Sequence, residues 1–292
     1  MERILRVFPH RNSFTPEDEM VRIGFPDMLP LPGHDAVHIS CVFTWDRELC
    51  EQMKATWETV TDRPVLLGGP AYESPCPDFT PGRYIRGGVT FTTRGCNNRC
   101  PWCSVPRIEG SLKELEDFAP GNIIQDNNFL QASERHKNRV FEMLKAQRGI
   151  CFKGGLDADL LDDHFVNGIK DLRIKELWLA CDTDEDIETV KKAIKKLTDA
   201  GYTRRKIFCF ALIGANGTSD FEMDLAENRL TEIYQAGAMP FAQLYRDFSG
   251  TKTQYPKEWT QFARMWSRPP TIKAHMEKGT WWTEYRGKKD QP

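Results

Sequence analysis

Apolar and polar positions alternate along this chain in short β-rich runs separated by longer stretches of helical character. AVHISCV (36–42) and PVLLGG (64–69) bracket DRELCEQMKATWETV (46–60). A strand, a helix of that length and a second strand predict a parallel crossover. The Pro/Gly-rich GGPAYESPCPDFTPG (68–82) then reads as a connector and a boundary.

From residue 88 the pattern becomes regular. Strands are expected at GVTFTT (88–93), NIIQD (122–126), ICFKG (150–154), ELWLACD (176–182), KIFCFALIG (206–214) and MPFAQLY (239–245). Amphipathic helices lie between several of them. In DEDIETVKKAIKKLTDAG, residues Ile187, Val190, Ile194 and Leu197 share one face, and Gly201 is placed to stop the helix. The expected fold is α/β: a small Rossmann-like unit over 1–87, a partial (βα)6 TIM-like barrel over 88–250, and an irregular segment over 251–292.

That last segment changes the charge picture. It holds six lysines and three arginines against three glutamates and one aspartate, a net +5 that leaves −7 for the rest of a chain whose total is −2. It also carries Tyr255, Trp259, Phe262, Trp266, Trp281, Trp282 and Tyr285. Interleaved basic and aromatic residues suit a nucleotide or another anion; packing of the same aromatics on the barrel is the plainer expectation. No run of 18 apolar residues occurs, so no membrane partner is expected, and MERILRVFPHRNSF lacks a signal-peptide core, so a cytoplasmic protein is expected.

Nine cysteines without pairwise spacing do not read as a disulfide framework. Cys41, Cys50, Cys151 and Cys209 fall within apolar patterns and are expected to be core thiols. Cys76 and Cys181 lie near strand ends, where catalytic use is a minor alternative. The remaining three form TTRGCNNRCPWCSVP (92–106), with Cys96, Cys100 and Cys103 at the spacing C-x3-C-x2-C. A structural zinc site closes with four ligands, yet no second knuckle follows, and Cys76 and His136 are isolated. A ferredoxin cluster also takes four thiolates. Three cysteines on a four-iron cluster leave one iron open to a substrate or cofactor.

This spacing after a first strand, with Trp102 just before the last cysteine, resembles the radical S-adenosylmethionine (SAM) superfamily. The likeness extends through RVFPHRNSFTP, VHISCVFTWD, VLLGGPA, IIQDNNFL, FKGGLDADLL, LWLACDT, FALIG, MPFAQLYRD and MWSRPP to short phage- and prophage-type proteins labelled Fe–S oxidoreductases. It implies one [4Fe–4S] cluster held by Cys96, Cys100 and Cys103, SAM on the open iron, and an external one-electron donor of flavodoxin or ferredoxin type. Reductive cleavage of SAM would then give a 5′-deoxyadenosyl radical that takes hydrogen from an unidentified substrate, with nucleotide, nucleic acid and peptide all left open.

The resemblance also implies roles for residues around the motif. Asp126, Asn127 and Asn128 would hold the methionine amino group, or else form an Asx-rich turn. Lys153 would neutralise the methionine carboxylate, Gly154 and Gly155 would let backbone approach the cofactor, and Asp157 and Asp159 would accept from ribose hydroxyls, with a helix cap as the equal alternative for Asp159. Asp182 would contact SAM or cap helix 183–200. Ile213 and Gly214 would meet adenine, and Gln243, Tyr245 and Arg246 would face substrate. Arg94 is expected to be structural or to tune the cluster. The N-terminal unit is similar to a shortened cobalamin-binding domain. It lacks the Asp-x-His-x-x-Gly loop, and His38 falls in a strand, so no cobalamin is expected. The competing expectation is a non-catalytic zinc or Fe–S protein that binds nucleic acid through its basic, aromatic tail.

Overall fold

A computed structural model describes residues 2–28, 30–72, 83–247, 252–279 and 282. Most of the connector, with Cys76, and the end of the tail, with Trp281 and Tyr285, lie outside them. The described residues form an α/β chain with two parallel sheets and eight α-helices, none long and apolar enough to cross a membrane.

The first sheet joins β1 (Ile4–Phe8), β2 (Val21–Ile23), β3 (Ala36–Ser40) and β4 (Val65–Gly68) in the order β2-β1-β3-β4. Helix α1 (Arg47–Trp57) crosses from β3 to β4, as the alternation predicts. Cys50, Met53 and Trp57 on one face of α1 are fully buried against Leu5, Val7, Val37 and Ile39. His38 lies in β3, and burial lowers the proton affinity of its ring. Strands β1 and β2 escape the sequence pattern because Arg6 interrupts one apolar run and the other is only three residues long. Arg6 is nonetheless buried, with its guanidinium taken up by Asp18 and the Arg83 carbonyl.

The second sheet runs β12-β11-β10-β9-β8-β5, all parallel. Its strands are β5 (Val89–Thr90), β8 (Ile123–Ile124), β9 (Ile150–Leu156), β10 (Ile174–Ala180), β11 (Ile207–Ile213) and β12 (Met239–Leu244). Each neighbour in space is therefore the next of these strands in sequence. Helices α3 (Glu134–Lys145), α4 (Asp163–Ile169), α5 (Ile187–Asp199) and α6 (Asp220–Ala236) make four of the crossovers. On α5, Val190, Ile194 and Leu197 are buried as the period requires, Ile187 packs at the margin, and Gly201 follows at φ +92°.

The expected strand over 88–93 is divided. After Thr90 the chain leaves the sheet, and β6 (Thr93–Arg94) pairs antiparallel with β7 (Lys113–Glu114). The cause is Asp126, whose carboxylate accepts from the amides of Thr92 and Thr93 and from the Thr92 hydroxyl. Those amides thereby gain side-chain partners in place of the ladder. The short α2 (Val105–Ile108) follows the cysteine motif.

Helices α7 (Lys257–Met265) and α8 (Pro269–Lys278) close the described chain. Trp259, Phe262, Trp266 and Trp282 are buried in the core of the second sheet. These tail aromatics pack instead of presenting a stacking surface. The amide of Ala242 donates to the Trp266 carbonyl at 3.1 Å, tying the end of α7 to β12.

Candidate active site

A cavity of about 1620 Å³ opens at the carboxyl ends of the second sheet. The segments ending or following β5, β8, β9, β10, β11 and β12 all reach it, and this is the edge of a parallel α/β sheet where ligands bind. Phe43 and Trp45, from the loop after β3, form a further part of its wall.

The cysteine loop is held by its neighbours. Gly95 adopts φ +78°, and a Cβ there would stand 2.3 Å from the Ser111 carbonyl oxygen, so only glycine passes. The amide of Cys96 donates to the Gly110 carbonyl at 3.1 Å. The amide of Asn97 donates to Gln131 Oε1, and Gln131 Nε2 donates to Asn98 Oδ1, each at 2.8 Å. Glu109 completes the frame, accepting from Arg94 at 2.8 Å, from the Gly95 amide at 2.9 Å and from Asn127 Nδ2 at 2.8 Å. Arg94 is thus structural.

Cys96, Cys100 and Cys103 all line the cavity and are all free thiols. Burial raises the proton affinity of Cys100, helped by Cys103, Asp182 and Cys96; burial likewise raises that of Cys103. Three thiols near enough to perturb one another suit a cation that would hold them as thiolates. No fourth cysteine and no histidine is among the described residues lining the cavity. Nor is any set of three or more His, Cys, Asp or Glu side chains, among the described residues, arranged to hold a single metal ion. A four-iron cluster makes a different demand, because it gives each thiolate its own iron.

Other expected residues divide between the cavity and the scaffold. Trp102 lines the cavity and its indole Nε1 donates to Asp182 Oδ2 at 3.3 Å. Asp182 is not a helix cap: Asp186 accepts from the amides of Asp182 and Thr183, at 2.9 and 2.7 Å. Burial raises the pKa of Asp182, and the indole hydrogen bond opposes it. Asp157 accepts from Asn98 Nδ2 at 2.9 Å and Asn128 Nδ2 at 3.1 Å, and from the Asp159 amide at 3.2 Å. Asn127, Gly155, Gln243, Tyr245 and Arg246 also line the cavity. Gly155 has φ +90° with nothing within 4 Å of where a Cβ would be.

Three expectations need correction. Asp126 is 1% exposed and spends its carboxylate on Thr92 and Thr93, away from the cavity lining. Lys153 is paired with Glu176 at 2.8 Å and sits over the Trp178 ring, also off the lining. Ile213 is buried in the core, and Gly214 packs under Tyr255, so neither faces the cavity. Leu212, one residue earlier, does line it, because burial alternates along β11 and the cavity takes the other side. Cys181 is buried and its pKa is pushed up to about 12, which removes it as a nucleophile.

Asn128 is the informative acceptor. Its Nδ2 is used by Asp157, while its Oδ1 is buried with no hydrogen-bond partner among the described residues. An unmet buried acceptor costs about 1–3 kcal/mol, and an ammonium donor would relieve that cost. Glu109, Asn98 and the Phe43–Trp45 pair were missed as site residues, although Glu109 stands only six residues after Cys103. No protein-family model matches the chain, and no curated protein does.

Proposed function

We propose that this protein is a radical SAM enzyme. The supporting observation is the set of three free thiols on one wall of a large cavity, at the carboxyl ends of a parallel sheet, with no fourth cysteine or histidine among that cavity's described lining. The residues fit the group: soft sulfur donors for iron, one coordination position left over, and the unmet Asn128 Oδ1 for an ammonium. The chemistry such a [4Fe–4S] cluster supplies when bound is one electron to the SAM sulfonium, yielding methionine and a 5′-deoxyadenosyl radical for hydrogen abstraction.

In this reading Cys96, Cys100 and Cys103 hold the cluster, and Asn128 accepts from the methionine amino group. Asp157 and Asp182 offer acceptors to ribose or ammonium, and Gly155 lets the cofactor lie against backbone. Glu109 keeps the cysteine loop in place. The chain-order winding of the second sheet supports a partial six-stranded barrel around the site. The N-terminal unit serves as a wall of the cavity and takes no cobalamin. An external flavodoxin- or ferredoxin-type donor delivers the electron.

The test is anaerobic reconstitution followed by dithionite and SAM. About four irons per chain, a brown chromophore and accumulation of 5′-deoxyadenosine are expected, with Cys100→Ala abolishing the product. A colourless chain, or one that binds zinc and makes no 5′-deoxyadenosine, would sink the proposal.

A further inference from the structure

The cavity is large for one cofactor: pockets for a single drug-sized ligand measure about 300–1,000 Å³, and about 1620 Å³ leaves room for a second molecule. Its chemistry also differs from one side to the other. Near the thiols stand the carboxylates of Glu109, Asp157 and Asp182, and Asp159 and Asp186 line the same cavity. On the side built by β12 and α7 stand Arg246, Arg264 and Arg268, opposed there by Asp247.

Arg264 and Arg268 are exposed, and among the described residues neither guanidinium has a carboxylate partner. They line the cavity together with Arg246, on the side where the Ala242–Trp266 hydrogen bond fastens α7 to β12. The guanidinium of Arg246 lies 4.7 Å from the centre of the Trp45 ring. Phe43 stacks on Trp45 at 4.6 Å with the rings 9° apart, and Phe43 is 42% exposed. The exposed Phe43 ring, backed by the half-buried Trp45, lines the same cavity as these arginines, and the two together offer a stacking surface and an anion clamp.

We infer that the second occupant of this cavity is a nucleotide: a planar base on the outer face of Phe43, which Trp45 backs, with its phosphate held by Arg264 and Arg268. This assignment rests on the radical SAM reading and names the substrate class for that site. Guanidinium forks match phosphate oxygens bidentately, whereas an uncharged nucleoside would leave them unanswered. A free nucleotide and the end of a single strand present the same chemistry, and the test separates them.

Calorimetric titration of the full chain with saturating S-adenosylhomocysteine, which fills the SAM subsite, provides that test. The probes are the four nucleoside 5′-monophosphates, the matching nucleosides, inorganic phosphate, a single-stranded tetranucleotide and an acidic tetrapeptide. At least one monophosphate is expected to bind about tenfold or more tightly than its nucleoside, and phosphate alone only weakly. The Arg264→Gln/Arg268→Gln variant should erase the monophosphate advantage without changing nucleoside binding. Trp45→Ala should weaken nucleotide and nucleoside by a similar factor. Far-ultraviolet circular dichroism and thermal unfolding that match the parent show that each variant is folded.

A tetranucleotide that binds more tightly than any monophosphate, with affinity falling steeply in salt, assigns the nucleotide to a strand. Tighter binding of the monophosphate assigns it to the free form. Equal affinity for nucleotide and nucleoside, no binding of either, or binding of the acidic peptide alone overturns the inference. None of these readouts requires iron, so a protein that binds nucleotide but fails reconstitution would sink the radical reading instead.

Discussion

Trp102, set between the last two cysteines of the motif, donates its indole hydrogen to Asp182, eighty residues further along the chain at the end of β10. The bond fixes the motif loop against the opposite side of the cavity. It also favours the ionised form of the carboxylate, against the larger opposing effect of burial.

Replacing Trp102 with Phe keeps the ring and removes the donor. The Asp182 carboxyl should then protonate at higher pH than in the parent. On the proposed function, SAM affinity measured against pH should begin its acid-side fall at higher pH in Trp102→Phe, with the neutral-pH affinity less affected. Superimposable profiles would show that Asp182 does not act through this bond.

Asp126 predicts an unusual pH dependence of stability. Burial raises its pKa from 3.8 to about 6 against the pull of its hydrogen bonds. The folded chain therefore holds this proton more tightly than the unfolded chain. Its contribution is fully present below about pH 4 and is lost as pH rises through about 6, by roughly 3 kcal/mol in all. Asp126→Asn should remove that decline. Urea unfolding at pH 4, 5, 6 and 7 should show a smaller loss across the range in the variant than in the parent.

Adjacent glycines in β9 should respond differently to alanine. A Cβ on Gly154 would fall 1.5 Å from the Asp126 carbonyl oxygen, a backbone atom with no freedom to yield. Gly154→Ala should cost more than about 3 kcal/mol or prevent folding. At Gly155 the space is open and only the φ of +90° is unfavourable, so its alanine variant should cost about 1–3 kcal/mol. Soluble yield and thermal midpoint distinguish the two, and similar losses would refute the packing argument.

Glu109 joins three donors: Arg94, the Gly95 amide and Asn127. A glutamine could keep its carbonyl oxygen on Gly95 and Asn127, whereas an alanine leaves all three donors without this acceptor. Glu109→Ala should lower stability by about 1–3 kcal/mol and speed hydrogen exchange at the Gly95 amide more than at α5. Unchanged exchange at Gly95 would show that the loop is held by its other contacts.

Much of the architecture was legible in the residues. The crossover around α1, the face of α5 and the strands β9 to β12 follow from period and length, because burial selects for those patterns over many residues. Short strands carry no such redundancy, so β1 and β2 were invisible, and the division of 88–93 depended on Asp126, a residue distant in sequence. The cysteine motif revealed its own residues. Which neighbours face the cavity was harder: a one-residue offset in a strand reverses a side chain, which is why Leu212 lines it and Ile213 does not. Lys153 was drawn away by Glu176, a partner on the adjacent strand that no local pattern announces.

The contact between Trp45 and Arg246 joins the two halves of the polypeptide at the rim of one chamber. A change of side chain at position 45 is therefore felt at Arg246, two hundred residues on, without displacing any of the three thiols from their own loop.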